Sequence, residues 1–275
     1  MNRAQIDGRE LEYEVRGAGE PVVLVHGSHI ADAFAPLLVE PVLTERYQLF
    51  LYHRRGFAGS THPDGPVSIV QQAVDCRALM RHLGVPCAHI VGHSYGGAIA
   101  LQLALDAPDV VHSLALLEPA LLIVPSAQQF MDAMGPVFQM YEAGNKRGAV
   151  DGFLQAVVGP EYRSVLDRVL PGAFAQAVVD ADTFFRIELP ALQQWSFTQA
   201  EAGRIPQPVL AVLGADSHTL WRGWVEVHGL VQAWLPQAEA FVLKGATHGL
   251  QIIDPKGMAA GLADFFARHP LPEHP

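Results

Sequence analysis

Six residues, Gly92-His93-Ser94-Tyr95-Gly96-Gly97, constrain this chain more tightly than any other stretch. A short apolar run, Ala88 to Val91, leads into them, and a longer run rich in Ala and Leu, Ala98 to Leu105, leads out. The first has the length of a buried strand and the second that of a helix. A G-x-S-x-G at a strand-to-helix turn forces a sharp bend that pushes the serine Oγ out of the sheet, where a base can reach it. Gly92 and Gly96 keep Cβ atoms out of the crowded turn. The helix N-terminus just after the serine aims free N–H groups at developing negative charge. Alone, the five-residue pattern also describes a glycine-rich turn with an idle serine; the flanking strand and helix are what give Ser94 the role of a nucleophile.

The same grammar recurs along the chain. Ala4–Ile6 and Leu11–Val15 flank Asp7-Gly8, the signature of an opening hairpin. Continuous apolar strands are expected at Pro21–Val25, Gln48–Tyr52, Leu114–Leu117, Val209–Leu213 and Ala240–Leu243. Helical spacing marks Ser68–Leu83, with Ile69, Ala73, Cys76 and Met80 on one face, and Met258–Phe266. Uninterrupted apolar strands alternating with helices imply an α/β protein, with a mostly parallel central sheet covered by helices on both faces. Ligands of such sheets sit beyond the strands' carboxyl ends. His26-Gly27, Ser94, Glu118, Asp216 and His248 all fall just past one. Between about Pro119 and Pro206 the alternation fails, leaving helical patterns at Gln128–Tyr141, Ala149–Val158, Ser164–Leu170 and Ala173–Val179. That interval is too long for a loop. It reads as an inserted helical cap, 119–206, on a core made of 1–118 and 207–275.

Composition excludes several classes. Half of the 275 residues are apolar and 17% are charged, so the chain is globular. A net charge of −10 without a Lys/Arg run argues against nucleic acid or an anionic membrane as partner. The N-terminus lacks the apolar core of a signal peptide and no run is long enough to span a bilayer, so a cytoplasmic protein is expected. Cys76 and Cys87 read as two reduced thiols. The thirteen histidines show no zinc spacing, and no metal or cofactor is expected. A homodimer is compatible with the sequence.

With these residues in place, nearly the whole chain resembles an α/β-hydrolase-fold enzyme. The His-Gly after the third strand, the R-G-x-x-x-S at Arg55–Ser60, the elbow and the late G-x-x-H at Gly245–His248 match in order. The family usually has Asp where His53 stands. The resemblance implies His248 as the general base, since imidazole accepts and returns a proton near neutrality. It implies an oxyanion hole made by the backbone N–H groups of Ser28 and Tyr95. His26 and His93 are expected to brace their turns, His29 and His218 are candidates to line the site, and His89, His112, His228, His269 and His274 read as surface or packing residues.

The acid that orients His248 has two candidates. The commonest family location is a G-x-x-D after the strand that follows the cap; counted from Gly214 that position is Ser217, with Asp216 one residue early. Glu118 ends the strand directly after the nucleophile helix, a placement that resembles haloalkane dehalogenases and resorcylic-lactone hydrolases. A carboxylate behind Leu114–Leu117 is also costly to bury without a partner. Glu118 is preferred and Asp216 is retained.

Aspartate in place of Ser94 would suggest epoxide or haloalkane chemistry; serine argues for acyl transfer. The expected function is a serine hydrolase cleaving an ester or lactone of a hydrophobic small molecule through an acyl-enzyme. The cap's apolar residues (Phe130, Met131, Met134, Phe138, Met140, Phe153, Phe184, Phe185, Trp195, Phe197) suggest the hydrophobic substrate. A small-molecule sensor of the same fold, a carbon–carbon bond hydrolase and a cofactor-free perhydrolase are the alternatives, which fold analogy does not separate.

Overall fold

The computed structural model describes residues 1–272; the last three residues, His274 among them, lie outside the description. Eight strands form one sheet: β1 (Asn2–Ile6), β2 (Arg9–Gly17), β3 (Glu20–Val25), β4 (Tyr47–Tyr52), β5 (Ala88–His93), β6 (Val111–Leu117), β7 (Val209–Gly214) and β8 (Ala238–Leu243). Their spatial order is β1-β2-β4-β3-β5-β6-β7-β8. The hairpin pairs antiparallel with itself and with β4, and every other pairing is parallel. Asp7 and Gly8 both take positive φ, 48° and 79°, as a two-residue turn matched to strand twist requires.

The strands alternate faces, which is why they read as unbroken apolar runs. Val23, Val25, Ile90, Leu114 and Leu116 pack under the helices Ile69–His82, Tyr95–Asp106 and Gly223–Trp234. Val22, Leu24, Val91, Ala115 and Leu117 face the opposite way, onto Leu37 and the helix Pro255–Arg268. Ser68 caps the Ile69–His82 helix reciprocally: its Oγ accepts from Gln71 N–H, and the Gln71 side chain accepts from Ser68 N–H. The helix Gly223–Trp234 has no counterpart in the expected elements.

Between β6 and β7 the structure holds only helices, with their own apolar cluster around Val150, Leu154, Phe174, Phe184 and Phe185. The single helix expected over Gln128–Tyr141 is instead two, Ala127–Ala133 and Gly135–Glu142. Pro136 has no N–H with which to continue the ladder, so the chain restarts there. Thr183–Glu188 forms a widened, π-helical turn closed by Leu189 N–H on Phe184 C=O, just ahead of Pro190. No helix among the described residues is long and apolar enough to cross a membrane.

Candidate active site

The turn after β5 is as tight as its glycines suggest. A Cβ at Gly96 would lie 2.1 Å from the Val25 carbonyl oxygen, and one at Gly92 would lie 2.5 Å from that of Gly96. Ser94 adopts φ 52°, ψ −118°, a conformation that L side chains rarely take. It is held there by its N–H on Leu117 C=O (3.0 Å) and by its own C=O, which accepts from Gly97 and Ala120 N–H groups (2.9 Å each). Tyr95 opens the following helix. Gly27 packs against the turn, and a Cβ there would lie 3.0 Å from Ser94 Cβ.

His248 sits in the turn after β8. Its Nδ1 lies 2.6 Å from Glu118 Oε2, and both side chains are buried. Glu118 directly follows β6 at φ 42°. Its Oε1 accepts from Gly214 N–H at 2.8 Å. Burial pushes the Glu118 carboxyl up to about 7, opposed by the Ser217 hydroxyl and the Gly214 N–H. Burial also pulls His248 down. The short contact between them favours one arrangement: carboxylate on Glu118, a neutral imidazole with its proton on Nδ1, and a free lone pair on Nε2. Ser94 and His248 line the same cavity, and no hydrogen bond joins them among the described residues. Such bonds commonly tighten only when substrate is present.

The two carboxylate candidates are placed very differently. Asp216 is exposed, and only its backbone is engaged: the N–H on Ala246 C=O, the C=O accepting from Thr219. Ser217, at the commoner acid position, is buried against Gly214 and beside Glu118.

The sequence reading missed Trp224. Its ring stacks on His248 with centroids 3.9 Å apart and planes 13° from parallel. His93 Nε2–H donates to the His248 carbonyl (2.8 Å) while its Nδ1 accepts from Gln251 (3.2 Å), so that one histidine fixes the backbone of the other. His26 donates from Nδ1 to Gly27 C=O and accepts Arg54 N–H at Nε2. His53 lies between Asp32 (2.8 Å) and Glu12 (3.1 Å); burial opposes its protonation, but the two carboxylates raise its pKa overall. His29 is buried against Phe153 and Phe184 rather than in the cavity wall, and His218 is exposed.

The cavity that holds Ser94 and His248 measures about 50 Å³. Ser28, Tyr95, Glu188, Trp221 and Trp224 contribute to its wall, and from the helical insert so do Phe130, Met131, Met134, Phe138, Phe153 and Phe184. Met140, Phe185, Trp195 and Phe197 pack elsewhere; Phe185 stacks on Tyr141 and Trp195 donates to Gln102. A larger surface groove, about 640 Å³, is lined by Val74, Arg77 and Arg81 and contains neither Ser94 nor His248. No cluster of three metal-ligating side chains occurs among the described residues. Cys76 and Cys87 are both free.

The fold and these turns define an α/β hydrolase. The chain belongs to the alpha/beta hydrolase fold family, whose model matches residues 20–255. It is similar to a fluoroacetate dehalogenase of Burkholderia sp. (36% identical over 121 residues, 42% of this chain and 38% of that one). It is also similar to a soluble epoxide hydrolase of Corynebacterium sp. (32% over 117 residues, 42% and 41%). The matched part spans only about two fifths of each of these relatives. Among solved structures, the enol-lactonase of Burkholderia xenovorans LB400 superimposes with a TM-score of 0.79 at 20% identity, covering 97% of this chain and 100% of that one. At that identity the likeness concerns the fold.

Proposed function

We propose that this chain is a serine hydrolase that cleaves a carboxylic ester or lactone of a hydrophobic small molecule through an acyl-enzyme, with Ser94, His248 and Glu118 as its triad. The observation that carries the proposal is the 2.6 Å contact of Glu118 with His248 Nδ1, beside a serine held at φ 52°. With its proton on Nδ1, His248 takes the Ser94 proton at Nε2 as Oγ attacks the carbonyl, then returns it to the leaving oxygen; water repeats the cycle on the acyl-enzyme. Glu118 stabilises the imidazolium formed on the way, and the face of Trp224 adds a cation–π contact to the same charge. The N–H groups of Ser28 and Tyr95 receive the carbonyl oxygen as it becomes negative. The named relatives act on fluoroacetate and on epoxides; serine at position 94 supports acyl transfer here. Residues 119–206 act as a cap. A cavity of about 50 Å³ accepts a short acyl group, and larger substrates require the cap to shift. Assay of short and medium p-nitrophenyl esters and lactones, with fluorophosphonate labelling, tests the reading. Turnover with labelling at Ser94 is expected. Neither turnover nor labelling would leave a binding protein of this fold as the better description.

A further inference from the structure

One group in the cavity wall takes no part in those steps. Glu188 closes the π-helical turn of the insert and is fully buried. Its Oε1 accepts from Arg54 Nη1 at 2.5 Å. The buried guanidinium has other obligations: Nε to His26 C=O (2.9 Å), Nη2 to Gly27 C=O (2.9 Å), and Nη1 also to Gln72 Oε1 (2.5 Å). It therefore reaches the carboxylate through one oxygen only. Glu188 Oε2 is buried without a hydrogen-bond partner. Burial raises the Glu188 carboxyl above the usual carboxylate range; the Arg54 guanidinium and the Ser28 hydroxyl oppose this in favour of the charged form, yet no hydrogen bond of normal geometry reaches Oε2. An unpartnered charged acceptor in an apolar wall is costly, and such orphans in native structures usually serve a ligand or a solvent molecule.

Resting on the hydrolase reading above, we propose that Glu188 Oε2 determines specificity by accepting a hydrogen bond from a neutral N–H or O–H group on the acyl part of the substrate. The topology assigns the side. His248, which protonates the leaving group, comes from the β8 end of the sheet; Ser28, Arg54 and the Glu188 that contacts them stand over β3 and β4, across Ser94. The acyl chain lies on that second side. The donor is neutral because Arg54 already balances the carboxylate, and a substrate cation would meet that guanidinium in a mostly apolar wall. The favoured substrates are acyl groups with an amide N–H or a hydroxyl a few atoms from the scissile carbonyl, rather than plain hydrocarbons.

Two isosteric pairs of p-nitrophenyl esters test this. N-acetylglycinate against 4-oxopentanoate exchanges N–H for CH2; 3-hydroxybutyrate against 3-methylbutyrate exchanges O–H for CH3. Each kcat/KM is divided by the ester's own rate of hydroxide hydrolysis. The donor ester should be preferred roughly 10- to 100-fold in at least one pair. In Glu188→Gln the amide oxygen must stay on Arg54, which only donates, so an NH2 group faces the cavity where an acceptor stood. The preference should then fall to about 1. A purely structural role for Glu188, tying insert to core, would slow both esters of a pair together and leave the wild-type preference in place; that result overturns the proposal. Should Glu188→Gln not fold, wild-type ratios near 1 in both pairs overturn it as well. A chain that hydrolyses none of the four esters and leaves Ser94 unlabelled by fluorophosphonate overturns the hydrolase reading, and this inference with it.

Discussion

Replacing Glu118 by Gln tests the acid assignment with little change of shape. The expected consequence follows from the two hydrogen bonds of the carboxylate. Gly214 N–H can only donate, so the oxygen of the new amide stays on it. The amide nitrogen then faces His248 Nδ1, 2.6 Å from the present oxygen position, and presents a hydrogen where an acceptor had been. Imidazole must answer with a lone pair on Nδ1 and its proton on Nε2, which leaves no base facing Ser94. A triad in the wrong tautomer loses on the order of 10⁴ in turnover, equivalent to about 5.4 kcal/mol of transition-state stabilisation. The fold should tolerate the change, because both hydrogen bonds persist and a buried charge is removed. Asp216→Asn, altering an exposed side chain, should cost less than about tenfold. Steady-state hydrolysis of a short p-nitrophenyl ester, with thermal melts of each variant, reads both quantities. If Glu118→Gln keeps more than about a tenth of wild-type kcat, or if Asp216→Asn is the more damaging change, the reasoning fails.

Three further outcomes are expected. Ser94→Ala should lose on the order of 10⁶ in turnover with an unchanged melt, and should no longer be labelled by a fluorophosphonate probe; residual activity of a few per cent would move the nucleophile elsewhere. Because burial holds the Glu118 carboxyl near 7, lowering the pH through 7 protonates it and removes its support for imidazolium; kcat/KM should be full above that pH and decline below it, and a flat profile down to about pH 5 would contradict the assignment. Trp224→Leu removes the ring stacked on His248 and should lower kcat roughly 5- to 30-fold, the worth of one desolvated cation–π contact; an unchanged kcat would show the stack to be packing alone.

Much of this arrangement was legible because the relevant residues stand at strand ends flanked by glycine, where sequence and backbone are tightly coupled. Ser94 and His248 are of that kind. Glu118 and Asp216 both follow a strand, and a strand end does not say where a side chain points; the choice depends on Ser217, whose small side chain fills the space beside Gly214 that a second carboxylate would need. Trp224 was hidden for another reason. The helix Gly223–Trp234 carries an exposed Val225 opposite the buried Trp224, Val227 and Val231, so its apolar pattern has no clean face. Glu188 depends on a widened turn and on an arginine 134 positions away, neither of which leaves a local signal.

The left-handed backbone at Ser94 and Glu118 sets a direction on how such a site can change over time. Each holds an L side chain where glycine would rest more easily, at a cost of about 1–3 kcal/mol apiece. A duplicated gene released from selection on turnover would therefore gain folding stability by replacing Ser94 with glycine, whereas losing the Glu118 side chain would leave Gly214 N–H and His248 Nδ1 without their acceptor. Loss of the proposed nucleophile runs downhill in folding free energy and its recovery runs uphill. Descendants that keep the cavity only to bind would be easy to reach and hard to leave.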